Sequence, residues 1–585
     1  MVTNKYITRI ASVIMAAAVI LCLMASLFSD KLQEVYGNNA VTMKYESKLF
    51  NTDQIMDIDI LMDEDDWNDM LENAISEEYY SCDVVVNGKT FYSVGIRPKG
   101  NTSLSSIVND PDTDRYSFKL EFDHYIEGQT CYGLDKLILN NNYADATNMK
   151  EAIVYDMYQY LGVDASLYNY AKISVNGDYR GVYLALEAVE DSFMLRNYGT
   201  EDGNLYKPES MGIGGGVDGN GFPQKGEMPD GEDFPQKGEM PDGADFPQKG
   251  EMPDGEDFPQ KGEMPDGEDF PQMGEAPNGE AADIKMGIMG GNGGADLNYT
   301  DDDLDSYSTI WDGEITDSDK KDHKRVVEAL KNISEGTDLE TYMDVDNILK
   351  YMAVHTFVVN DDSLSGTMAH NYYLYEYNGK LNILPWDYNL SFGGMSMGGK
   401  MGGQSLGATS VINDAIDMPF SITDFFDALL ENEEYLEQYH GYLNELVEKY
   451  VNGGEFEKTY ERIRSQIDDL VGNDPTAFYS YEEYEEAANM LIEVVQLRAK
   501  SVSGQLAGTI PSTDEGQQQD SSNLIDGSDI DLSVMGSFSG GGGGNEGQGK
   551  DNGFAGTPQP FDAGDVSPIS EEKADLQDSN QDSVK

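Results

Sequence analysis

The chain has 585 residues and a formal net charge of −70, with 108 acidic side chains against 38 basic ones. This length allows one large domain or two ordinary domains. So strong a negative charge repels nucleic-acid backbones, and nucleic acid is therefore excluded as an expected partner. The same charge would attract basic protein tails, although acidic excess is often only a solubility feature.

The N-terminus is typical of an exported protein. Lys5 and Arg9 precede residues 10–28, an apolar run without a charge that is long enough to span a bilayer or to form a signal-peptide core. The basic flank stays in the cytoplasm, so the rest of the chain is expected outside it. Residues 1–29 are predicted to be a signal anchor or signal peptide, and the anchor is favoured because residues 23–30 offer a poor cleavage site. The protein is expected to be membrane-anchored or secreted.

Two cysteines, Cys82 and Cys131, lie beyond the N-terminal segment. In an oxidising compartment they can form a disulfide. Two free buried thiols agree with the sequence equally well.

The region after the N-terminal segment begins with a predicted hairpin. Residues 84–86 and 91–96 are apolar runs that flank Asn87-Gly88, a favoured two-residue turn. The polar loop at residues 97–103, RPKGNTS, follows the hairpin and contains Lys99. This loop has the composition of a phosphate-contacting loop and equally that of an ordinary turn.

A further strand and a helix are predicted next. Residues 116–122 alternate between apolar and polar side chains, with Lys119 on the polar face. Asn148 is a suitable N-cap for a helix over residues 149–161, which carries Glu151 in its first turn. Another Asn-Gly hairpin follows, and it leads into Glu187.

Two segments are predicted to be disordered. The sequence FPQKGEMPDGED recurs with a period of twelve between residues 222 and 280. These repeats are rich in Pro, Gly and acidic residues and lack apolar periodicity, so they cannot bury a core. Residues 211–295 are therefore predicted to be a disordered insertion, either a display arm for a partner or a tolerated expansion. Residues 507–585, rich in Gly, Ser, Asp and Gln, are predicted to be a disordered tail.

The most informative stretch is residues 360–394, NDDSLSGTMAHNYYLYEYNGKLNILPWDYNLSFGG. Its two apolar runs flank an Asn-Gly turn, so a hairpin brings Asn371 and Asp387 together at its open end, with Cα atoms roughly 4.5 to 5.5 Å apart. Asp361 and Asp362 enter the same end from the N-terminal side. Oxygen ligands of this kind suit a hard cation such as Mg²⁺ or Mn²⁺. The alternative is a hairpin whose ends are simply polar.

This order of residues resembles the catalytic core of protein kinases. The stretch HNYYLYEYNGKLNILPWDYNLSFGG with the upstream NDDS resembles the CotH family, the spore coat protein H type of atypical secretory kinases, and the resemblance covers most of residues 45–505. It implies transfer of phosphate from ATP, with Mg²⁺ or Mn²⁺, to protein serine or threonine. By position Asp362 would be the base that orients the substrate hydroxyl, with Asp361 as the second choice. Asn371 and Asp387 would hold the metal.

The resemblance also implies roles for residues of the N-terminal region. Lys119 would be the phosphate-pairing lysine, oriented by an ion pair with Glu151, and Lys99 would contact the phosphates from its loop. Glu187 would lie near the hinge over the adenine. From the residues alone, Lys119 is as well explained as a solvated strand lysine, and Glu151 as a favourable partner of the helix dipole.

The expected fold is α+β, an atypical protein-kinase-like two-lobe fold with a small β-rich lobe at residues 42–210 and a large helical lobe at residues 296–506. Helices are predicted over residues 319–332, 344–358, 421–430, 433–450, 455–470 and 480–506. The expected function is phosphorylation of a spore coat or cell-surface protein, basic and Ser-rich by charge complementarity. The alternative is an inactive structural or adhesive surface protein that displays the acidic repeats.

Overall fold

A computed structural model describes residues 40–208, 293–366, 368–396, 407–420, 422–536 and 538–539. The predicted N-terminal anchor and the twelve-residue repeats lie outside these ranges. Among the helices within them, none is both long and apolar enough to cross a membrane.

Residues 56–187 contain strands that close into a barrel. The strands are β1 (Met56–Leu61), β2 (Tyr80–Val86), β3 (Lys89–Lys99), β4 (Ser117–Glu121), β5 (Lys136–Asn140), β6 (Tyr168–Val175) and β7 (Asp178–Glu187). Their order around the barrel is β1-β2-β3-β4-β5-β7-β6. The closing pair β1 and β6 is parallel, and every other neighbouring pair is antiparallel. The predicted Asn-Gly hairpins are confirmed as β2–β3 and β6–β7.

All three Asn-Gly turns have the backbone that a tight hairpin requires. Asn87-Gly88, Asn176-Gly177 and Asn378-Gly379 have φ values between 51° and 88°. A two-residue type I′ turn needs positive φ at both central positions, which Asn tolerates and Gly adopts freely. The turns thereby fix the register of the strands on either side.

The helices follow in chain order. They are α1 (Lys44–Lys48), α2 (Glu64–Glu72), α3 (Thr102–Val108), α4 (Lys150–Leu161), α5 (Asp191–Tyr198), α6 (Ser308–Asp312), α7 (Lys320–Ser334), α8 (Leu339–Tyr342), α9 (Val345–Val358), α10 (Ala408–Ile412), α11 (Asp427–Leu430), α12 (Glu433–Glu445), α13 (Glu455–Gly472), α14 (Tyr481–Leu506) and α15 (Asp514–Gln519). A π-helical turn at Leu446–Val451 extends α12, and short 3₁₀ turns lie at Ala74–Ser76, Leu304–Tyr307 and Leu532–Met535. The α+β class is confirmed, with a β-rich N-terminal region and a helical C-terminal region.

The start of α4 differs from the prediction. The helix begins at Lys150, and Asn148 does not cap it but adopts a left-handed backbone with φ of 52°. Asp145 takes over that role, since its carboxylate accepts from the backbone N–H groups of Thr147 and Lys150, both at 3.0 Å. An acidic side chain at this end also interacts favourably with the helix dipole.

A second sheet joins the chain on either side of the repeat insertion. Strand β8 (Asn204–Tyr206) precedes the insertion and pairs with β9 (Tyr372–Tyr377), which pairs in turn with β10 (Lys380–Pro385). The predicted hairpin about Asn378-Gly379 is thus confirmed as β9–β10. A two-stranded sheet of β11 (Met395–Ser396) and β12 (Phe538–Ser539) completes the strands of the described ranges.

Two apolar cores support these elements. Inward-facing strand residues such as Ile58, Val84 and Leu120 fill the barrel. The larger core packs α4 and the outer face of β5 to β7 against the helical region. Cys82 and Cys131 are both buried in the barrel core as free thiols, so no disulfide joins them.

Residues 507–536, predicted to belong to a disordered tail, are ordered. Gln517 Nε2 donates to the carbonyl of Asn413 at 2.7 Å, and the backbone N–H of Ala146 donates to the carbonyl of Met535 at 3.1 Å. The average composition of the tail is polar, but a few of its apolar residues are buried in the protein. Ile510 and Met535 are among them, and they are 4% and 1% exposed. Residues 540–585 lie outside the described ranges.

This packing predicts a stability effect in the tail. Met535→Ala is expected to lower the free energy of unfolding by about 2 to 5 kcal/mol, because it leaves a cavity in the core. Met418→Ala is the matched control, since Met418 is 53% exposed and its loss should change stability by about 0.5 kcal/mol or less. Denaturant unfolding measures both values. Equal stability of the two variants would contradict the packing of this segment.

Candidate functional site

The open end of the β9–β10 hairpin is the starting point of the candidate site. The last strand pair is Tyr372 with Pro385, so Asn371 lies just before β9 and Asp387 two residues after β10. Both residues have a left-handed backbone, with φ of 57° and 61°. Asn and Asp adopt this conformation more readily than most residues. The strand pairing ends at Tyr372 and Pro385, so the predicted facing pair of Asn371 and Asp387 is not formed, although both residues lie at the open end of the hairpin.

Asp362 is held to the hairpin by side-chain contacts. His370 Nε2 lies 2.7 Å from Asp362 Oδ1, and Asn371 Nδ2 donates to the carbonyl oxygen and to Oδ2 of Asp362 at 2.7 and 3.1 Å. These contacts engage the amide nitrogen of Asn371 and leave its amide oxygen as the atom that suits a cation. Next to it in the chain, Asp361 has its pKa raised by burial and, to a smaller degree, by repulsion from Asp362. The structure thus brings Asp361, Asp362 and Asn371 together.

Asp387 lies among charges of both signs. Burial raises the pKa of Asp387 above its usual value; the ammonium of Lys99 opposes that rise and the carboxylate of Asp362 adds to it. Lys207, which follows β8, and His370 also act to lower the pKa. A carboxylate in such a place is costly unless cations balance it.

Lys99 is linked to Glu151 through an asparagine. Lys99 Nζ donates to Asn140 Oδ1 at 3.2 Å, and Asn140 Nδ2 donates to Glu151 Oε2 at 2.9 Å. Lys99 Nζ also lies 5.6 Å from the ring centroid of Trp386, within cation–π range. The ends of β3, β5 and β10 and the first turn of α4 therefore converge on one cluster, which we call the Lys99–Asp387 cluster and which consists of Lys99, Asn140, Glu151 and Asp387.

Burial dominates the protonation of this cluster. It lowers the pKa of Lys99, while Asp387 opposes that shift. Burial also raises the pKa of Glu151, and repulsion from Asp387 raises it further. Glu151 Oε1 is buried without a hydrogen-bond partner. A further cation near Glu151 and Asp387 would lower the pKa of both carboxyl groups.

The expected ion pair between Lys119 and Glu151 is not formed. Lys119 instead pairs with Glu190, which also pairs with Lys136. The strand register explains the difference: Lys119 faces Arg97 on β3, whereas Lys99 lies two residues, about 7 Å, further along that strand toward the site. Lys99 therefore takes the position toward Glu151 that the sequence assigned to Lys119.

The hydrogen-bond partners of Glu187 lie outside the Lys99–Asp387 cluster. Its fully buried carboxylate accepts from Tyr45 Oη at 2.5 Å, from Arg196 Nε and Nη2 at 2.9 and 2.6 Å, and from the backbone N–H of Leu167 at 3.1 Å. These bonds tie β7 to α1 and α5. The predicted role of Glu187 near an adenine ring stays a prediction.

Sequence reasoning missed Asn140 and Lys207. Asn140 ends β5, a short strand that the apolar pattern did not predict, and Lys207 becomes relevant only because β8 pairs with β9. The sequence signal for both is weak, since each follows a short apolar run without a turn motif.

The residues present fit a divalent cation that is completed by other ligands. Within the described ranges, no three His, Cys, Asp or Glu side chains converge as a ready-made metal site. Asp387, the amide oxygen of Asn371 and the unpartnered Glu151 Oε1 are nevertheless oxygen donors of the kind that Mg²⁺ and Mn²⁺ prefer. Mg²⁺ is commonly held by one or two carboxylates together with phosphate oxygens and water. On a metal held by this donor set, water and phosphate oxygens can complete the coordination.

Comparison with known protein families gives a match over most of the chain. The family model described as CotH kinase protein matches residues 96–502, which include Lys99, Asn140, Glu151, Asp362, Asn371 and Asp387. A search of curated proteins found no match. The family match spans more than half of the 585 residues. The chain therefore belongs to the CotH kinase family.

Proposed function

We propose that the protein is an atypical, CotH-like kinase that transfers the γ-phosphate of ATP to serine or threonine of a protein. The observation that carries the proposal is the Lys99–Asp387 cluster, in which a half-buried lysine, a buried glutamate and an aspartate meet beside Asp362. Phosphoryl transfer asks mainly for positioning and charge neutralisation, and this cluster offers both.

The proposed roles follow from the positions of the side chains. Lys99 pairs with phosphate oxygens of the nucleotide, and Asn140, which is itself held by Glu151, orients Lys99. Asp387, Asn371 and Glu151 supply oxygen ligands for Mg²⁺ or Mn²⁺. A bound divalent cation supplies positive charge that balances the charge developing on the transferred phosphoryl group.

Asp362 is the proposed base for the substrate hydroxyl. The contacts from His370 and Asn371 hold its carboxylate in one orientation beside Asp387. Asp361 is the second candidate, and burial raises the pKa of its carboxyl group, which favours acceptance of a proton. Proton transfer to a positioned carboxylate is the standard means by which kinases activate a hydroxyl.

The proposed substrate is a basic, Ser-rich protein of the spore coat or cell surface. The net charge of −70 favours encounter with basic partners by electrostatic steering. Membership of the CotH family supports association with the spore coat. The predicted N-terminal anchor would place the site outside the cytoplasm.

Label transfer tests the proposed function. The purified full-length protein is incubated with ATP labelled in the γ-phosphate, Mn²⁺ and a basic Ser-rich protein, and beside it the same substrate with every Ser and Thr replaced by Ala. Label is expected only on the Ser-containing substrate, and chelation of Mn²⁺ should abolish it. Unlabelled substrate at every metal concentration would contradict the kinase function and favour the structural or adhesive alternative.

A further inference from the structure

His355 occupies a central place behind the candidate site. It lies near the end of α9, is 2% exposed, and its pKa is lowered to about 3 by burial. The imidazole is therefore neutral near pH 7, with one nitrogen that donates a hydrogen bond and one that accepts. Both nitrogens have partners, and these lead to different parts of the site.

One side of His355 leads to the residue that follows Asp387. Tyr158 Oη donates to Tyr388 Oη at 2.6 Å. Tyr388 Oη also lies 3.0 Å from His355 Nδ1. Tyr158 belongs to α4 and lies seven residues, close to two turns, after Glu151, on the same face of that helix.

The other side of His355 leads to the loop of Asp361 and Asp362. His355 Nε2 lies 2.8 Å from Ser365 Oγ and 3.3 Å from Ser363 Oγ. Both serine hydroxyls donate to the carbonyl of Asn360, at 3.0 and 2.8 Å. Asn360 Nδ2 reaches the carbonyl of Asp387 at 3.4 Å. The hydrogen bonds therefore form a closed ring that returns to the residue preceding Tyr388.

We propose that His355 is a positioning residue that fixes Asp387 against the Asp362 loop and against α4 with Glu151. The ring joins the three parts that would bind the metal and the substrate hydroxyl. An imidazole bonded on both sides holds such parts rigidly, because its loss removes one hydrogen-bond partner from Tyr388, Ser363 and Ser365. The consequence for metal and phosphate transfer rests on the proposed function.

The test replaces His355 and measures Mn²⁺ binding directly. His355→Phe keeps a ring of similar size and removes both nitrogens, whereas His355→Gln returns a donor toward Ser365. The dissociation constant and stoichiometry for Mn²⁺ alone are measured on the full-length protein by electron paramagnetic resonance of the free ion. The Phe variant is expected to bind Mn²⁺ about 10- to 100-fold more weakly with unchanged stoichiometry, and the Gln variant to recover part of the loss.

These readouts separate positioning from folding. A purely structural role would lower the number of competent sites and leave their dissociation constant unchanged, and that result would overturn the proposal. His440→Phe is the control. His440 lies on the neighbouring α12 and contacts Asp417 at 2.7 Å, so its substitution should leave Mn²⁺ affinity unchanged. If His355→Phe does not fold, Tyr388→Phe and Ser365→Ala each remove one hydroxyl from the ring, and normal Mn²⁺ affinity in both would equally overturn it.

Failure of the proposed function would look different. A wild-type protein that binds Mn²⁺ but transfers no phosphate contradicts the kinase function, and weaker Mn²⁺ binding in His355→Phe still supports positioning. Where transfer occurs, the Phe variant should lose kcat about 10- to 100-fold with little change in KM for the protein substrate. A wild type without Mn²⁺ affinity would overturn the positioning of a metal site.

Discussion

Lys99→Met is expected to lower kcat/KM for ATP by about 100-fold or more, whereas Lys119→Met should leave it within about threefold. A hundredfold loss corresponds to about 2.7 kcal/mol of transition-state stabilisation. Lys99 contacts Asn140 and opposes the raised pKa of Asp387, so its loss removes the proposed phosphate-pairing cation and the largest influence that lowers the pKa of Asp387. Steady-state kinetics with varied ATP measures the effect.

Lys119→Met is the matched control for this prediction. Both lysines lie on adjacent barrel strands and both variants lose one positive charge, yet the partner of Lys119 keeps a second lysine, since Glu190 also pairs with Lys136. The thermal midpoints of the two variants should be compared to exclude unfolding. Loss of activity in Lys119→Met together with normal activity in Lys99→Met would reverse the assignment and restore the one made from the sequence.

Asp387→Asn is expected to weaken Mn²⁺ binding and to lower phosphate transfer by about 100- to 1000-fold. The substitution keeps the shape of the side chain and removes the charge, and removal of one preorganised electrostatic group typically costs this much. Glu151→Gln should weaken Mn²⁺ binding as well, because it replaces an unpartnered buried carboxylate oxygen. Calorimetric titration with Mn²⁺ measures both.

Glu187→Gln supplies the contrast. Glu187 is as buried as Glu151, but its bonds go to Arg196, Tyr45 and the backbone of Leu167. Its substitution is expected to lower stability, since it removes the ion-pair partner of Arg196, and to leave Mn²⁺ affinity unchanged.

The prediction for Asp387 would be contradicted if Asp387→Asn and the wild type bound Mn²⁺ with equal affinity, because Asp387 would then not belong to the metal site.

Local signals in the sequence predicted much of the fold. The Asn-Gly turns located three hairpins because positive φ at two successive positions demands such residues. Helices were predicted to begin at residues 319, 344 and 480, and Asp319, Asp344 and Ser480 each accept from the first turn of α7, α9 and α14. The one predicted cap, Asn148, was wrong. These signals are short-range, and a single sequence displays them directly.

Long-range pairing was beyond the same reasoning. The choice between Lys99 and Lys119 depends on the register of β3 against β4, and Asn140 depends on β5, which carries no turn motif. The tail is a second example of long-range packing that composition does not predict. A few buried residues such as Met535 are enough to order residues 507–536, although the composition of this segment is polar. The part of the site that contains Asp362, Asn371 and Asp387 could be predicted from the sequence, because a single hairpin turn brings its parts together.

The position of Mn²⁺ in crystals grown with a non-hydrolysable ATP analogue tests the central claim most directly. Anomalous scattering should place Mn²⁺ against Asp387, with the phosphates facing Lys99. A metal peak or a nucleotide bound at any other part of the protein, with Asp387 free of both, would contradict the assignment of this site.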